Sequence, residues 1–274
     1  MLYLGLYSGG SLSRCEDFPS QHIQARHVDV WCPPGYENGA ARYPVIYLHD
    51  GQNLFDPAWS FLGIDWGVDE VIERLMAEGV SDGVIVVGIW HGRQRRLDYM
   101  PQQPLMTEQA RPLLDRFAQE QGGAPQSDAY LRFMVAELKP FVDATYRTLP
   151  DRAHTAVMGS SMGGLISLYA VTEYPAVFGG AGCVSTHWPI GGSWLVDYFG
   201  GALPRPGDHR IYFDYGTETA DAAYEPYQLQ MDALMQAAGY QCGIDWITKR
   251  FAGAEHSERA WRTRVDVPLK FLLM

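Results

Sequence analysis

The stretch Ala156–Leu168, AVMGSSMGGLISL, constrains this chain more than any other. Gly159-Ser160-Ser161-Met162-Gly163 has the form G-x-S-x-G, and Gly164 follows it. The apolar run Thr155–Met158 predicts a strand entering the turn, and Leu165–Val171 predicts a helix leaving it. Strand, tight turn, helix is the setting in which such a serine is lifted out of the sheet edge with a helix N-terminus behind it. Small residues flank it because side chains there would strike the crossing strand and helix. Alone, the pattern also describes an ordinary strand-to-helix connection, so the rest of the chain has to decide.

Around it, buried-strand patterns alternate with helical ones. Pro44–His49 (PVIYLH) and Val84–Trp90 (VIVVGIW) are continuous apolar runs of the kind found in a sheet centre. Phe178–Ser185, Arg210–Tyr215 and Ile244–Lys249 read as further strands, and Ile23–Trp31 as an earlier one that Pro33 and Pro34 end. Helical spacing covers Val68–Met76, Leu113–Gln119, Ala129–Tyr146 with Pro140 as a kink, Tyr224–Ala238, and a last helix from Glu258. Strand and helix in alternation predict a mostly parallel central sheet with helices on both faces. No linker or internal repeat divides the chain, so residues 1–274 read as one domain. Residues 1–20, which show no clear period, are an edge strand or an arm. Residues 91–127 are a long excursion over the active site.

Composition narrows the function. A formal net charge of −11 argues against nucleic acid and anionic membranes as partners. No apolar run approaches the ~20 residues a spanning helix needs. The apolar N-terminus carries no early Lys or Arg and makes a poor signal peptide. A cytoplasmic protein is expected, or a secreted or periplasmic one if a leader has been removed. Cys15, Cys32, Cys183 and Cys242 fit no zinc spacing and read as buried or half-buried thiols, with Cys15–Cys32 as an open disulfide pairing. No H-E-x-x-H and no G-x-x-x-x-G-K-[ST] occurs, so no metal, nucleotide or other cofactor is expected.

In a parallel sheet, sites form beyond the C-terminal ends of the strands. Those ends carry Asp50-Gly51-Gln52, Trp90-His91, Ser161, His187-Trp188, Glu218 with Asp221, and His256. Serine, acid and histidine follow in the chain order of α/β-hydrolase triads. Serine is a poor nucleophile unless a neutral imidazole takes its proton, and a carboxylate must hold that imidazole's tautomer. Ser161 is the candidate nucleophile and His256 the base. Asp221 is preferred to Glu218 as the acid, with Asp214 on its strand set aside. The Met162 N–H and the turn at Gly51-Gln52 are candidates for the oxyanion hole. Trp90, His187 and Trp188 are candidate substrate contacts, with Trp59 and Trp66 as further aromatic wall. His49 reads as structural.

The stretches YPVIYLHDGQNLFD, VVGIW, AVMGSSMGGLISLYAV, YFDYGTETAD and AEHSERAW resemble the Putative-esterase family of α/β-hydrolases. That family includes esterase D-like enzymes, feruloyl and acetylxylan esterases of carbohydrate esterase family 1, and enterochelin esterases. The resemblance runs from about residue 25 to the C-terminus and is most specific at GSSMGG and HDGQNLF. It implies the α/β-hydrolase fold, Ser161 as nucleophile, His256 as base, and an acid beyond the strand ending at Tyr215. Several family members place an aspartate three residues after the glycine of that turn, where this chain has Thr219. The expected function is a serine carboxylic ester hydrolase acting through an acyl-serine on small acyl, carbohydrate or aromatic esters. The alternatives are an acyltransferase passing the acyl group to a sugar hydroxyl, and a non-catalytic binding module on the same scaffold.

Overall fold

The computed structural model describes residues 1–273. Its apolar runs become the middle of a nine-stranded sheet. The strands are β1 Leu2–Tyr7, β2 Gly10–Phe18, β3 Arg26–Cys32, β4 Val45–His49, β5 Ile85–Ile89, β6 Thr155–Ser160, β7 Gly180–Val184, β8 Arg210–Gly216 and β9 Trp246–Phe251. They lie in the order β1-β2-β3-β5-β4-β6-β7-β8-β9. From β5 to β9 all neighbours are parallel, and β1, β2, β3 and β5 pair antiparallel. Central strands β4, β5, β6 and β7 are buried along their whole length, which is why they read as unbroken apolar runs.

The helices are α1 Val68–Ala77, α2 Arg95–Tyr99, α3 Gln102–Leu105, α4 Arg111–Gln121, α5 Ser127–Arg132, α6 Lys139–Thr145, α7 Met162–Glu173, α8 Gly192–Ala202, α9 Glu225–Ala237, α10 Glu258–Arg262 and α11 Asp266–Leu273. Strand side chains alternate between two cores. Tyr47 and Val157 join Leu165, Leu168 and Met231 on one face. Ile46, Leu48 and Met158 join Ile72, Leu75 and Leu269 on the other. Helix α7 is buried almost all round, as its uniformly apolar sequence requires. No helix among the described residues is long and apolar enough to cross a membrane.

Several expectations change in detail. Residues 1–20 are the hairpin β1–β2. Alternation in β2 is masked because Arg14, 7% exposed, occupies an inward position. Its guanidinium grips Asp29 of β3 with two bonds of 2.6 and 2.8 Å, and that pairing offsets the desolvation of the charges. The long helix over 129–146 is α5, a π-helical turn at Phe133–Leu138, and α6. Pro140 falls in the first turn of α6, where its missing N–H costs least. The last helix divides between Arg262 and Asp266, so Pro268 lies in the first turn of α11. The four cysteines are free, and Cys242 is exposed rather than buried. Cys15 lies opposite Val28 while Cys32 lies opposite Ser11, so adjacent strands hold the two thiols out of register.

Candidate active site

After β4 the chain adds β5 on one side, and later β6 on the other. The C-terminal ends of β4 and β6 therefore flank the point where the connections diverge, which is where parallel sheets open a crevice. Ser161 stands there between β6 and α7 with φ 58° and ψ −119°. A non-glycine residue reaches that backbone region only under constraint. Its N–H donates to the Val184 carbonyl of β7 at 2.9 Å, and its carbonyl accepts from Gly164 at 3.0 Å and Leu165 at 3.2 Å. A Cβ on Gly159 would sit 3.0 Å from the Gly163 backbone, so the sharp turn leaves no room for one. Met162 opens α7, and first-turn N–H groups have no partner inside their helix.

The turn after β4 faces that helix start. Asp50 takes φ 58°, and a methyl group on Gly163 would meet Asp50 Oδ2 and His49 Cβ at 3.5 Å. Arg95 of α2 clamps Asp50 with bonds of 2.6 and 2.7 Å. Burial raises the Asp50 pKa, but the Arg95 charge and hydrogen bonds outweigh it and the net shift is downward. Gly51 and Gln52 begin a 3-10 turn. A Cβ on Gly51 would lie 2.4 Å from the Gly88 carbonyl carbon of β5, so the backbone approaches to a distance only glycine permits.

His256 lies in the loop between β9 and α10. Its Nδ1 is 2.6 Å from Asp221 Oδ1, and its own N–H donates to Thr219 Oγ1 at 2.8 Å. Trp261 packs edge-on against its ring, with centroids 4.9 Å apart. Asp221 is fully buried, in the 3-10 turn after β8. Its second oxygen accepts from the Ser185 hydroxyl and the Gly216 N–H, each at 2.6 Å. Burial pushes its pKa up, yet the hydrogen bonds with His256, Ser185 and Gly216 prevail and leave it below the ordinary value. Glu218, the competing acid, is exposed.

Behind Asp221 is a shell that sequence reasoning missed. Ser185, at φ 42°, accepts from Trp261 Nε1 at 3.1 Å and Arg264 Nη2 at 2.8 Å. Arg264, 3% exposed, also bonds Asp214 at 3.1 Å and lies 3.8 Å from Asp221 Oδ2. Asp214 also accepts the Ser185 N–H at 3.0 Å. The only signal available was the position of Ser185 and Asp214 at predicted strand ends; Arg264, inside the last predicted helix, gave none.

The expected substrate contacts separate. His187 stays at the site. Its N–H donates to the Ser161 carbonyl at 3.2 Å, and its Nδ1 is 2.6 Å from Tyr224 Oη. Trp90 is half-buried and donates to Asp29 at 2.8 Å. The Arg14 guanidinium lies over its ring and over that of Trp59, at 4.3 and 3.9 Å. Trp188 is a correction. It is fully buried, donates to Gln228 at 3.0 Å and packs on Phe199 and Phe213, so it belongs to the core and has no face for substrate. Trp66, 2% exposed, is likewise core. His49 is held by Tyr130 Oη at 2.7 Å, as a structural histidine. Among the described residues, no group of three or more His, Cys, Asp or Glu converges as a metal-binding set.

A mostly parallel sheet, a strained serine before a buried helix and an acid–imidazole pair beyond the next strands define an α/β esterase-type fold. The model of the Esterase family, described as "Putative esterase", matches residues 21–270, and the chain belongs to that family. Uncharacterized protein YbbA of Bacillus subtilis (strain 168) is 25% identical over 194 residues, covering 70% of this chain and 68% of that one. A solved ferulic acid esterase superposes with a TM-score of 0.67 at 19% identity, covering 96% of this chain and 98% of its own. An IroE-like serine hydrolase from Shewanella oneidensis gives 0.71 at 18% identity, over 96% and 80%. The family and these neighbours support carboxylic ester hydrolysis.

Proposed function

We propose that the chain is a serine carboxylic ester hydrolase that works through an acyl-Ser161 intermediate, with His256 as base and Asp221 as its partner. The observation that carries this reading is the 2.6 Å contact between His256 Nδ1 and the buried Asp221 carboxylate, at the sheet edge where Ser161 holds a strained backbone. A carboxylate on Nδ1 fixes the proton there and leaves Nε2 free to accept. In acylation Ser161 Oγ bonds to the ester carbon, its proton passes to His256 Nε2, and the carbonyl electron pair moves to oxygen. The N–H groups of Met162 and of Gly51 or Gln52 receive that oxyanion. The intermediate collapses, the bond to the alcohol breaks, and His256 returns the proton to the leaving oxygen. Water repeats the sequence on the acyl-enzyme and releases the acid.

The substrate side is read from the half-buried rings. His187 uses Nδ1 on Tyr224, which leaves Nε2 for a substrate polar group. Trp90 and Trp59 offer flat surface nearby. Together they suit small acyl groups and aromatic or carbohydrate esters, and the likeness to a solved ferulic acid esterase is consistent with an aromatic acyl group. Hydrolysis of a p-nitrophenyl ester series by wild type and Ser161→Ala tests the proposal. A fall of about 10⁴-fold or more in kcat for the variant is expected, and unchanged turnover would contradict it.

A further inference from the structure

His256 is held at two points by a single turn. Beyond β8 the chain enters the 3-10 turn Thr219–Ala223, and that turn supplies both partners. Asp221 Oδ1 lies 2.6 Å from the ring Nδ1, and Thr219 Oγ1 accepts the main-chain N–H at 2.8 Å. The loop leading to His256 is laced to the same stretch. The Gly253 N–H donates to Thr217 Oγ1 at 2.7 Å, and the Ala254 carbonyl accepts from the N–H groups of Thr217 and Glu218, each at 3.0 Å. Gly216, at the end of β8, has no room for a Cβ against that same carbonyl.

Thr219 makes its bond from a backbone that does not suit it. Its φ is 54°, in the left-handed region that L-residues enter at a cost, β-branched ones above all. Among the described residues it is the one β-branched residue with a positive φ. Thr219 is exposed, so no burial of apolar surface offsets the strain. Glycine would take the same φ freely. What threonine brings is an oxygen, and that oxygen receives the His256 N–H. Backbone strain collects at functional sites and persists where the surroundings impose it. Asp50, Ser161, Ser185 and Thr219 all stand around this site with positive φ.

We propose that Thr219 is a positioning residue for the base: its hydroxyl fixes the His256 main chain, at the expense of stability, so that the ring meets Asp221 and presents Nε2 to Ser161. This rests on His256 being the base for Ser161. A histidine tied only through its ring can swing about the Nδ1 contact, and Nε2 swings with it. Tying the main chain to Thr219 and the ring to Asp221, two residues further along the same turn, removes that pivot. A misplacement of about 1 Å can cost about a hundredfold in rate. Acylation and deacylation both pass a proton through Nε2, so both slow when the main-chain anchor is lost, while substrate binding is left alone.

Variants at position 219 separate the oxygen from the strain. Hydrolysis of p-nitrophenyl acetate, measured well below every melting temperature, is paired with thermal melts. Thr219→Ser keeps the oxygen and sheds the branch, so kcat should stay within about twofold of wild type while the protein melts about 2 °C higher. Thr219→Val keeps the branch and the strain without the oxygen, and Thr219→Gly removes all three. Both should lose about tenfold in kcat and in kcat/KM with KM little changed, although Thr219→Gly melts above Thr219→Val. Activity then follows the oxygen, and stability follows the backbone. A threonine that only supports the fold would instead let activity recover with stability in Thr219→Gly. That recovery, a kcat within about twofold of wild type in both Thr219→Val and Thr219→Gly, or a Thr219→Ser as slow as Thr219→Val would overturn the proposal. Should Thr219→Val fail to fold, Thr219→Gly against Thr219→Ser decides by kcat. His256→Ala runs beside them: full activity in that variant would contradict His256 as the base itself, a separable result.

Discussion

Asp221 shows how one side chain is tuned by what surrounds it. Burial alone would favour its neutral form, but three hydrogen bonds hold it as a carboxylate. One oxygen serves His256 and the other serves Ser185 and Gly216. Asp221→Asn keeps the shape and removes the charge, and its amide has to face donors on at least one side. The expected outcome is a drop in kcat of about 10³–10⁴-fold with a small change in KM, measured on the same ester series. His49 carries a different prediction. Burial, opposed by the Asp50 charge, lowers its pKa to about 3 from an ordinary 6.5. As pH falls from about 6.5 toward about 3, the unfolded chain binds a proton that folded His49 refuses, so stability is lost across that window. Urea titrations should show His49→Asn losing less stability than wild type between pH 6.5 and 4.5, by about 2 kcal/mol. Equal losses would refute it.

Two turns, after β4 and after β6, meet to form the centre of the site, and both were legible for the same reason. Each combines a buried strand with a glycine that close packing demands, and glycine in that role leaves a readable mark. Gly51→Ala places a methyl against the Gly88 carbonyl carbon at 2.4 Å, a backbone contact that cannot yield. The turn must shift, at a cost of about 1–3 kcal/mol in stability, and the expected loss of activity is larger than that destabilisation explains. Thermal melts paired with kcat report this, and an active, fully stable variant would refute it. Less legible were features set by side-chain direction. Tyr224 and Ser185 sit at the edges of predicted elements, and only the folded backbone aims their hydroxyls at His187 and Asp221. Trp188 failed as a substrate contact because the indole N–H finds Gln228 inside the protein, and nothing in the order of residues distinguishes that from a pocket wall.

At the scale of the whole molecule, the parallel sheet from β5 to β9 was readable from strand–helix alternation, whereas the antiparallel edge was not. Arg14 in an inward position of β2 breaks the apolar alternation that would have announced the strand, and its partner Asp29 lies on β3. The thiols report on the assembled fold. Cys32 and Cys183 are buried, Cys15 is half-buried and Cys242 is exposed, all free. Thiol titration of the native protein should therefore label Cys242 first and leave Cys32 and Cys183 until denaturant is added, and four thiols should react once unfolded. Fast labelling of Cys183 would contradict the packing of β7. The sheet also explains why residues as distant in sequence as Ser161, Asp221 and His256 are argued to act together, since each follows a different strand on the same edge. The most direct measurement of that claim is fluorophosphonate labelling followed by peptide mapping. A single adduct on Ser161, absent from Ser161→Ala and formed far more slowly in His256→Ala, is the predicted result. An adduct on another residue, or ester hydrolysis that persists with Ser161 unlabelled, would contradict it.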